Sequence, residues 1–240
     1  MKPIFLSIQA TYAHVQLALF KQNMCIARLS KSETRASSQL VLLIDELLTS
    51  HNFQLADLNF IAIDKGPGAF TSLRVAIATV NGIAFTNHMP LIGVDSLDAL
   101  VYDAANKVTT KQIPPHGYIL VLLNAYNNDV YYALAQFNAA AQRYEPCLKG
   151  CHKIDTVLEQ IKKDYAPREI IGTGNGCAQH YELLQKTLGE NVQIYHHQQA
   201  TPTAETIGVL GLEKFLSEQV HTYKVEPNYL KSQYFALKRS

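Results

Sequence analysis

Phe60-Ile61-Ala62-Ile63-Asp64-Lys65-Gly66-Pro67-Gly68-Ala69-Phe70-Thr71-Ser72-Leu73-Arg74 is the stretch from which the fold is read. Phe60 to Asp64 is a short apolar run closed by turn residues, the pattern of a buried strand. From Thr71 to Phe85, small and apolar residues recur at helical spacing, so the strand passes through a tight turn into a helix. Gly66 and Gly68 let the backbone turn sharply, Pro67 presets one dihedral, and Thr71 is placed to cap the helix. Free amides at such a helix start can hold a phosphate. Pro67 removes one donor, however, and both glycines are needed for the turn alone, so the structural reading is preferred.

Working outward, Ile4 to Ala10, His14 to Phe20 and Asn23 to Ser30 read as three strands. Ser37 to His51 is helical, with Leu40, Leu43, Ile44 and Leu47 on one stripe. Beyond the central stretch come a strand at Leu91 to Val94 and a helix capped by Ser96 and running to Lys107. Pro114-Pro115-His116-Gly117 breaks the chain, and the order then restarts. Tyr118 to Asn124, Val130 to Phe137 and Tyr144 to Leu148 are strands; Thr156 to Tyr165 is a helix, Glu169 to Gly172 a strand and Ala178 to Leu188 a helix. Gly174-Asn175-Gly176 follows the last strand as Gly66-Pro67-Gly68 follows Asp64. An offset of 115 residues sets Ile4 on Ile119, Gln9 on Asn124 and Val15 on Val130. The chain therefore reads as α/β, with βββαβα built twice. Its lobes are 1–108 and 109–202, and 203–240 is a helix (Thr203 to Glu218) and tail packing back at the lobe junction. This plan resembles the two-lobed, ribonuclease H-like fold of actin, Hsp70 and the sugar kinases, which does not by itself give a function.

Composition excludes several classes. Of 240 residues, 48 % are hydrophobic and 17 % charged, so a sizeable core is available. The net charge is +1, so no broad cationic face for nucleic acid is implied. Lys231, Lys238 and Arg239 read as a solvated tail. No run approaches the roughly 18 apolar residues of a membrane span, and the apolar start after Lys2 is too short for a signal sequence. A cytoplasmic protein is expected. Cys25, Cys147, Cys151 and Cys177 form no C-x-x-C pair, so reduced thiols are favoured over disulfides or a zinc site at Cys147, Cys151 and His152.

Gly66-Pro67-Gly68-Ala69-Phe70-Thr71-Ser72-Leu73-Arg74 resembles the signature of the TsaB (YeaZ) family, usually G-P-G-S-F-T-G-L-R. Pro90 to Leu97, the Val130-Tyr131-Tyr132-Ala133 hairpin and the closing Glu226-Pro227-Asn228-Tyr229-Leu230-Lys231 are also similar, so the likeness spans nearly the whole chain. The resemblance implies a part in forming threonylcarbamoyladenosine beside the tRNA anticodon. It implies that the chain is a non-catalytic partner of TsaD, a paralogue of the same fold that carries the metal, with the ATPase TsaE joining the assembly. ATP and metal are then expected on TsaD and TsaE, none in this chain, and tRNA is met only indirectly.

Residue chemistry agrees with that implication. TsaD-like enzymes hold a metal with two histidines four apart on the first-lobe helix, one helical face. Here Ser32 to Leu48 contains no histidine, and none of the nine histidines is four from another. His196 and His197 are neighbours and read as surface residues. Superfamily ATPases use an aspartate at the end of each lobe's first strand, where this chain has Gln9 and Asn124. A carboxamide is a poor ligand for a hard cation and cannot act as a base. Asp64 reads as a turn-capping or solvated residue. The alternative is an active ATPase or phosphotransferase of the same fold with altered ligands.

If chemistry is absent, surfaces carry the function. The core stripe of the Ser37–His51 helix leaves Val41, Leu42 and Leu48 aimed elsewhere. The next helix is apolar on most sides, with Ala78 and Gly82 one turn apart permitting close helix approach. From the residues alone, burial within one lobe and exposure to a partner are equally good readings. The resemblance implies the latter, with Val41, Leu42, Leu48, Val75, Ala78, Thr79 and Gly82 meeting TsaD or a second copy of the chain.

Overall fold

The computed structural model describes residues 2–11, 14–32, 39–107, 117–165, 168–194, 201–217 and 222–230. Residues 114–116, the start of the first helix at Ser37, His196, His197, the helix end at Glu218, Lys231, Lys238 and Arg239 lie outside them. Two five-stranded sheets share one plan. The first has β1 (Ile4–Gln9), β2 (Val15–Lys21), β3 (Met24–Lys31), β4 (Phe60–Asp64) and β5 (Leu91–Val94), ordered β3-β2-β1-β4-β5. The second has β6 (Tyr118–Asn124), β7 (Asp129–Asn138), β8 (Arg143–Lys153), β9 (Ile170–Thr173) and β10 (Val192–Ile194), ordered β10-β9-β6-β7-β8. In each, the first three strands form an antiparallel meander and the last two add in parallel. Parallel addition requires crossovers, which the helices supply.

The seven helices among the described residues are α1 (Leu40–Thr49), α2 (Phe70–Asn87), α3 (Ser96–Lys107), α4 (Ile154–Tyr165), α5 (Asn175–Gln179), α6 (Tyr181–Leu188) and α7 (Ala204–Ser217). α1 and α2 cover one face of the first sheet through Leu43, Ile44, Leu47, Leu73, Ile77 and Val80. α4 and α6 do the same for the second through Val157, Leu158, Ile161 and Leu184. The remaining helices are exchanged. α3, from the first repeat, lies on the second sheet with Leu97, Leu100 and Val101 against Ile119, Val121 and Leu123. α7, from the second, lies on the first sheet. Residues 203–217 thus pack along the first sheet and against α3, and each lobe is completed by a helix of the other repeat.

α7 can lie that close because two of its positions lack a side chain. A Cβ on Gly208 would stand 2.3 Å from the Phe20 ring, and one on Gly211 2.5 Å from Ala62 Cβ. The space is filled by stacked rings: Phe20 on Phe5 at 4.8 Å, Phe5 on Phe60 at 4.3 Å, and Phe60 on Phe215 of α7 at 4.2 Å. Such pairs add roughly 0.5–1.5 kcal/mol each beyond area burial.

The βββαβα repeat is present twice and each copy runs on by a strand and a helix, β5 with α3 and β10 with α7. One expectation needs correction: the 115-residue offset does not match equivalent residues. Leu6 and Ile8 face α1 and α2, whereas Val121 and Leu123, onto which that offset sends Leu6 and Ile8, face α3. The first hairpins also differ in register, Gln9 opposing Gln16 but Asn124 opposing Val130. Because side chains alternate across a strand, an odd slip exchanges the faces. The duplication is real in topology, but an offset of 115 residues does not align its equivalent positions.

Candidate functional site

The Gly-Pro-Gly turn is clamped on all sides. Gly66 has φ +90°, where only glycine is unstrained, and a Cβ on Gly68 would stand 2.6 Å from Thr11. Pro67 follows Gly66 through a cis bond. Ala69 N donates to Thr11 O at 2.6 Å and Ser96 N to Gly66 O at 2.9 Å. Under the turn, Asp64 is buried with both oxygens hydrogen-bonded. Its Oδ1 accepts from Ser96 Oγ at 2.6 Å and Gly66 N at 2.9 Å, and Oδ2 accepts from Thr11 Oγ1 at 2.9 Å. Gln9 Nε2 donates to Thr11 Oγ1 at 3.0 Å. Burial pushes the Asp64 carboxyl up to about 6, against the hydrogen bonds from Ser96, Gly66 and Thr11 that favour the charge. Both oxygens close the turn, so this Asp is turn-capping and not solvated.

Three sequence assignments change here. Thr71 does not cap α2: the helix begins at Phe70 and Ala69 is its cap without a side-chain bond. Ser96 does not cap α3, since its hydroxyl is given to Asp64. Asp95 caps it instead, Oδ1 accepting from Leu97 N at 2.8 Å and Asp98 N at 3.3 Å. Gln9 and Asn124 are not a matched pair. Gln9 alternates onto the face of Phe5, whereas Asn124 shares the alternation of Leu120 and Leu122 and folds onto its own turn, Oδ1 accepting from Tyr126 N at 2.8 Å. A nucleotide-bound magnesium ion, which the fold's ATPases hold, does not fit these groups: the carboxamide of Gln9 offers a hard cation one neutral oxygen, and the buried Asp64 carboxyl points both oxygens into hydrogen bonds with Ser96, Gly66 and Thr11.

The surface is more informative. On α2, Leu73, Ala76, Ile77, Val80 and Ala84 face the core. Phe70, Arg74, Ala78 and Gly82, each four residues on, form an exposed file continued by Phe85, which is 80 % exposed. Nothing lies within 4 Å of where a Gly82 Cβ would be. On adjacent α1, Val41 is 56 % and Leu42 70 % exposed. Val75 and Thr79 are half-buried at the edge of the file. Leu48, expected on this face, is instead 2 % exposed and belongs to the core with Leu47. Seven residues from Val41 is 700° on a helix, 20° short of two turns, and that small rotation is enough to carry it inward.

The two family-like motifs, far apart in sequence, meet beside this file. The segment 222–230 crosses the first lobe: Leu91 N donates to Thr222 O at 2.8 Å, and Asn81 of α2 exchanges two 2.9 Å bonds with the Val225 backbone. Asn228 N donates to Lys65 O at 2.8 Å and its amide to Asp95 Oδ2 at 2.6 Å. Arg74 Nε donates to Tyr229 Oη at 2.8 Å, with the guanidinium 3.7 Å above the Phe70 ring. Sequence reasoning had no signal for this contact, because 155 residues separate its partners. Across the lobes, Lys149 Nζ of β8 reaches Asp95 Oδ1 at 2.9 Å and Asp98 Oδ1 at 2.8 Å. No helix of the described residues is long and apolar enough to cross a membrane.

This duplicated α/β architecture, two like-ordered sheets with exchanged helices, is the two-lobed fold that actin, Hsp70 and the sugar kinases share. Comparison narrows the class. The family model described as TsaD, tRNA N6-adenosine threonylcarbamoyltransferase, matches residues 30–236. The TsaB protein of Buchnera aphidicola subsp. Schizaphis graminum, named for tRNA threonylcarbamoyladenosine biosynthesis, is 26 % identical over 72 % of this chain and 80 % of its own length. Its Bacillus subtilis counterpart is 23 % identical over 94 % and 93 %. YeaZ from Pseudomonas aeruginosa superposes with a TM-score of 0.72 at 21 % identity, covering 95 % of this chain and all of that one. The chain belongs to the TsaD family of threonylcarbamoyltransferase-like proteins, in its TsaB (YeaZ) branch.

Proposed function

We propose that this chain is the non-catalytic subunit of the machinery that makes threonylcarbamoyladenosine in tRNA, docking on the catalytic paralogue TsaD through α1 and α2. The observation that carries the reading is the exposed apolar file of Val41, Leu42, Ala78, Gly82 and Phe85 on two adjacent helices. Exposed apolar side chains gathered on one face mark an interaction site, and small residues at Ala78 and Gly82 allow a second helix pair to approach closely. The amide at Gln9 and the buried, turn-closing Asp64 support the absence of catalysis, and the TsaB names of its relatives support the pathway. ATP and metal then reside on TsaD and TsaE, tRNA is met through TsaD, and the assembly works in the cytoplasm.

Val41→Glu and Ala78→Glu are each expected to abolish co-elution with TsaD on gel filtration while melting as the parent does. Co-elution by both variants would remove the docking reading. Depleting the protein in its host is expected to lower threonylcarbamoyladenosine in digested tRNA, and an unchanged level would remove the pathway. Calorimetry with Mg-ATP on the isolated chain is expected to give no heat of binding; turnover would establish the kinase-like alternative.

A further inference from the structure

We propose that Arg74 is a specificity contact of the α1–α2 face, taking a carboxylate of the partner protein in its guanidinium, and that the C-terminal Tyr229 is the residue that positions it. The inference rests on the docking reading above and adds to it a polar determinant and a role for the segment 222–230.

The guanidinium is held on two sides. Its carbon lies 3.7 Å from the Phe70 ring centroid and 5.4 Å from that of Tyr229, and Nε donates to the Tyr229 hydroxyl at 2.8 Å. The two rings stand 5.9 Å apart at 42° to each other, a tilted bracket around the cation. An arginine fixed in this way has already lost the side-chain freedom that a long cation otherwise surrenders on binding. With Nε engaged, the paired terminal nitrogens remain, and their planar spacing suits the two oxygens of a carboxylate. Among the described residues, no other hydrogen bond is made by Arg74.

Position argues for a protein carboxylate over a phosphate. Arg74 is the single cation within an otherwise apolar file, between Phe70 and Ala78, and the exposed charges of neighbouring α1 are Asp45 and Glu46. A nucleic-acid backbone presents a row of phosphates and would find no second cation in this file, whereas a single carboxylate needs only one guanidinium. Tyr229 is delivered by the segment anchored through Thr222, Val225 and Asn228, so its hydroxyl arrives on a fixed piece of backbone.

Titration calorimetry of the full chain with TsaD tests this. Arg74→Gln and Arg74→Lys are each expected to raise Kd roughly tenfold, the lysine failing because it keeps charge but not the planar donor pair. Tyr229→Phe, which removes only the hydroxyl, is expected to raise Kd about threefold without moving the melting temperature. The double variant Arg74→Gln/Tyr229→Phe should be no weaker than Arg74→Gln, because the hydroxyl acts through Arg74. Parental affinity in both Arg74 variants while Val41→Glu abolishes binding overturns this proposal and leaves the docking face standing. Parental affinity in Val41→Glu removes the face and this proposal with it. Additive losses in the double variant overturn the positioning role. Loss of tRNA retention with TsaD affinity intact makes the ligand a phosphate and overturns the carboxylate assignment.

Discussion

At Asp64 a single carboxyl couples burial to pH. Its folded value of about 6 stands above the ordinary 3.8, so between those pH values the folded chain binds a proton that the unfolded chain has released. Stability contributed by this group is therefore greatest below about pH 4 and falls as pH rises to about 6, by roughly 3 kcal/mol in all. Asp64→Asn keeps an oxygen for Ser96 and Gly66 and removes the titration. Urea unfolding at intervals from pH 4 to 7 should show the difference between parent and variant shrinking or reversing over that window; a constant difference would contradict the assignment. The sequence left Asp64 as turn-capping or solvated and could not mark it as buried, since its donors Thr11 and Ser96 come from other elements. Leu48 and Ser96 were misread for the same kind of reason. A helical stripe seen in projection does not say how wide the core behind it is, and a serine at a helix start is a cap only if no nearer carboxylate claims its hydroxyl.

Glycines separate the two kinds of helix surface. Gly208 and Gly211 of α7 are buried against Phe20 and Ala62, whereas Gly82 of α2 faces open space. Gly208→Ala should cost about 1–3 kcal/mol, because the nearest atoms belong to a ring stacked on Phe5 and cannot move aside freely. Gly82→Ala should instead stabilise the free chain by about 0.5–1 kcal/mol, raising its melting temperature by a few degrees. Calorimetric melting of both variants checks the pair, and equal effects would mean that α7 is not seated as described. The helix and strand types were legible because period and turn residues agree along each segment. Boundaries were less so: α2 extends one residue earlier and two later than its pattern, and β8 runs on to Lys153 through polar residues that pair only because β7 lies alongside. β10, three residues long, had too little pattern to be seen.

Across the molecule, the lobes are tied by exchanged helices and by a few polar contacts. Lys149→Ala should cost about 1–2 kcal/mol, since it leaves the largely buried Asp95 without its cation while the Leu97 amide and Asn228 remain. A shift in urea midpoint at unchanged m-value is the expected signature, and an unshifted midpoint would show that β8 is not held to α3 by this pair. The sequence by itself determined the α/β class, the doubling of the chain and the membership of its turn motif in a family, because these depend on local period and on glycine-bearing turns. Only the tertiary structure decided which repeat's helix completes which sheet, which apolar residues of α1 and α2 remain outside, and that Tyr229 meets Arg74. Those outcomes depend on packing between segments distant along the chain, where alternation of side chains and the space left by neighbours settle what no local pattern can specify.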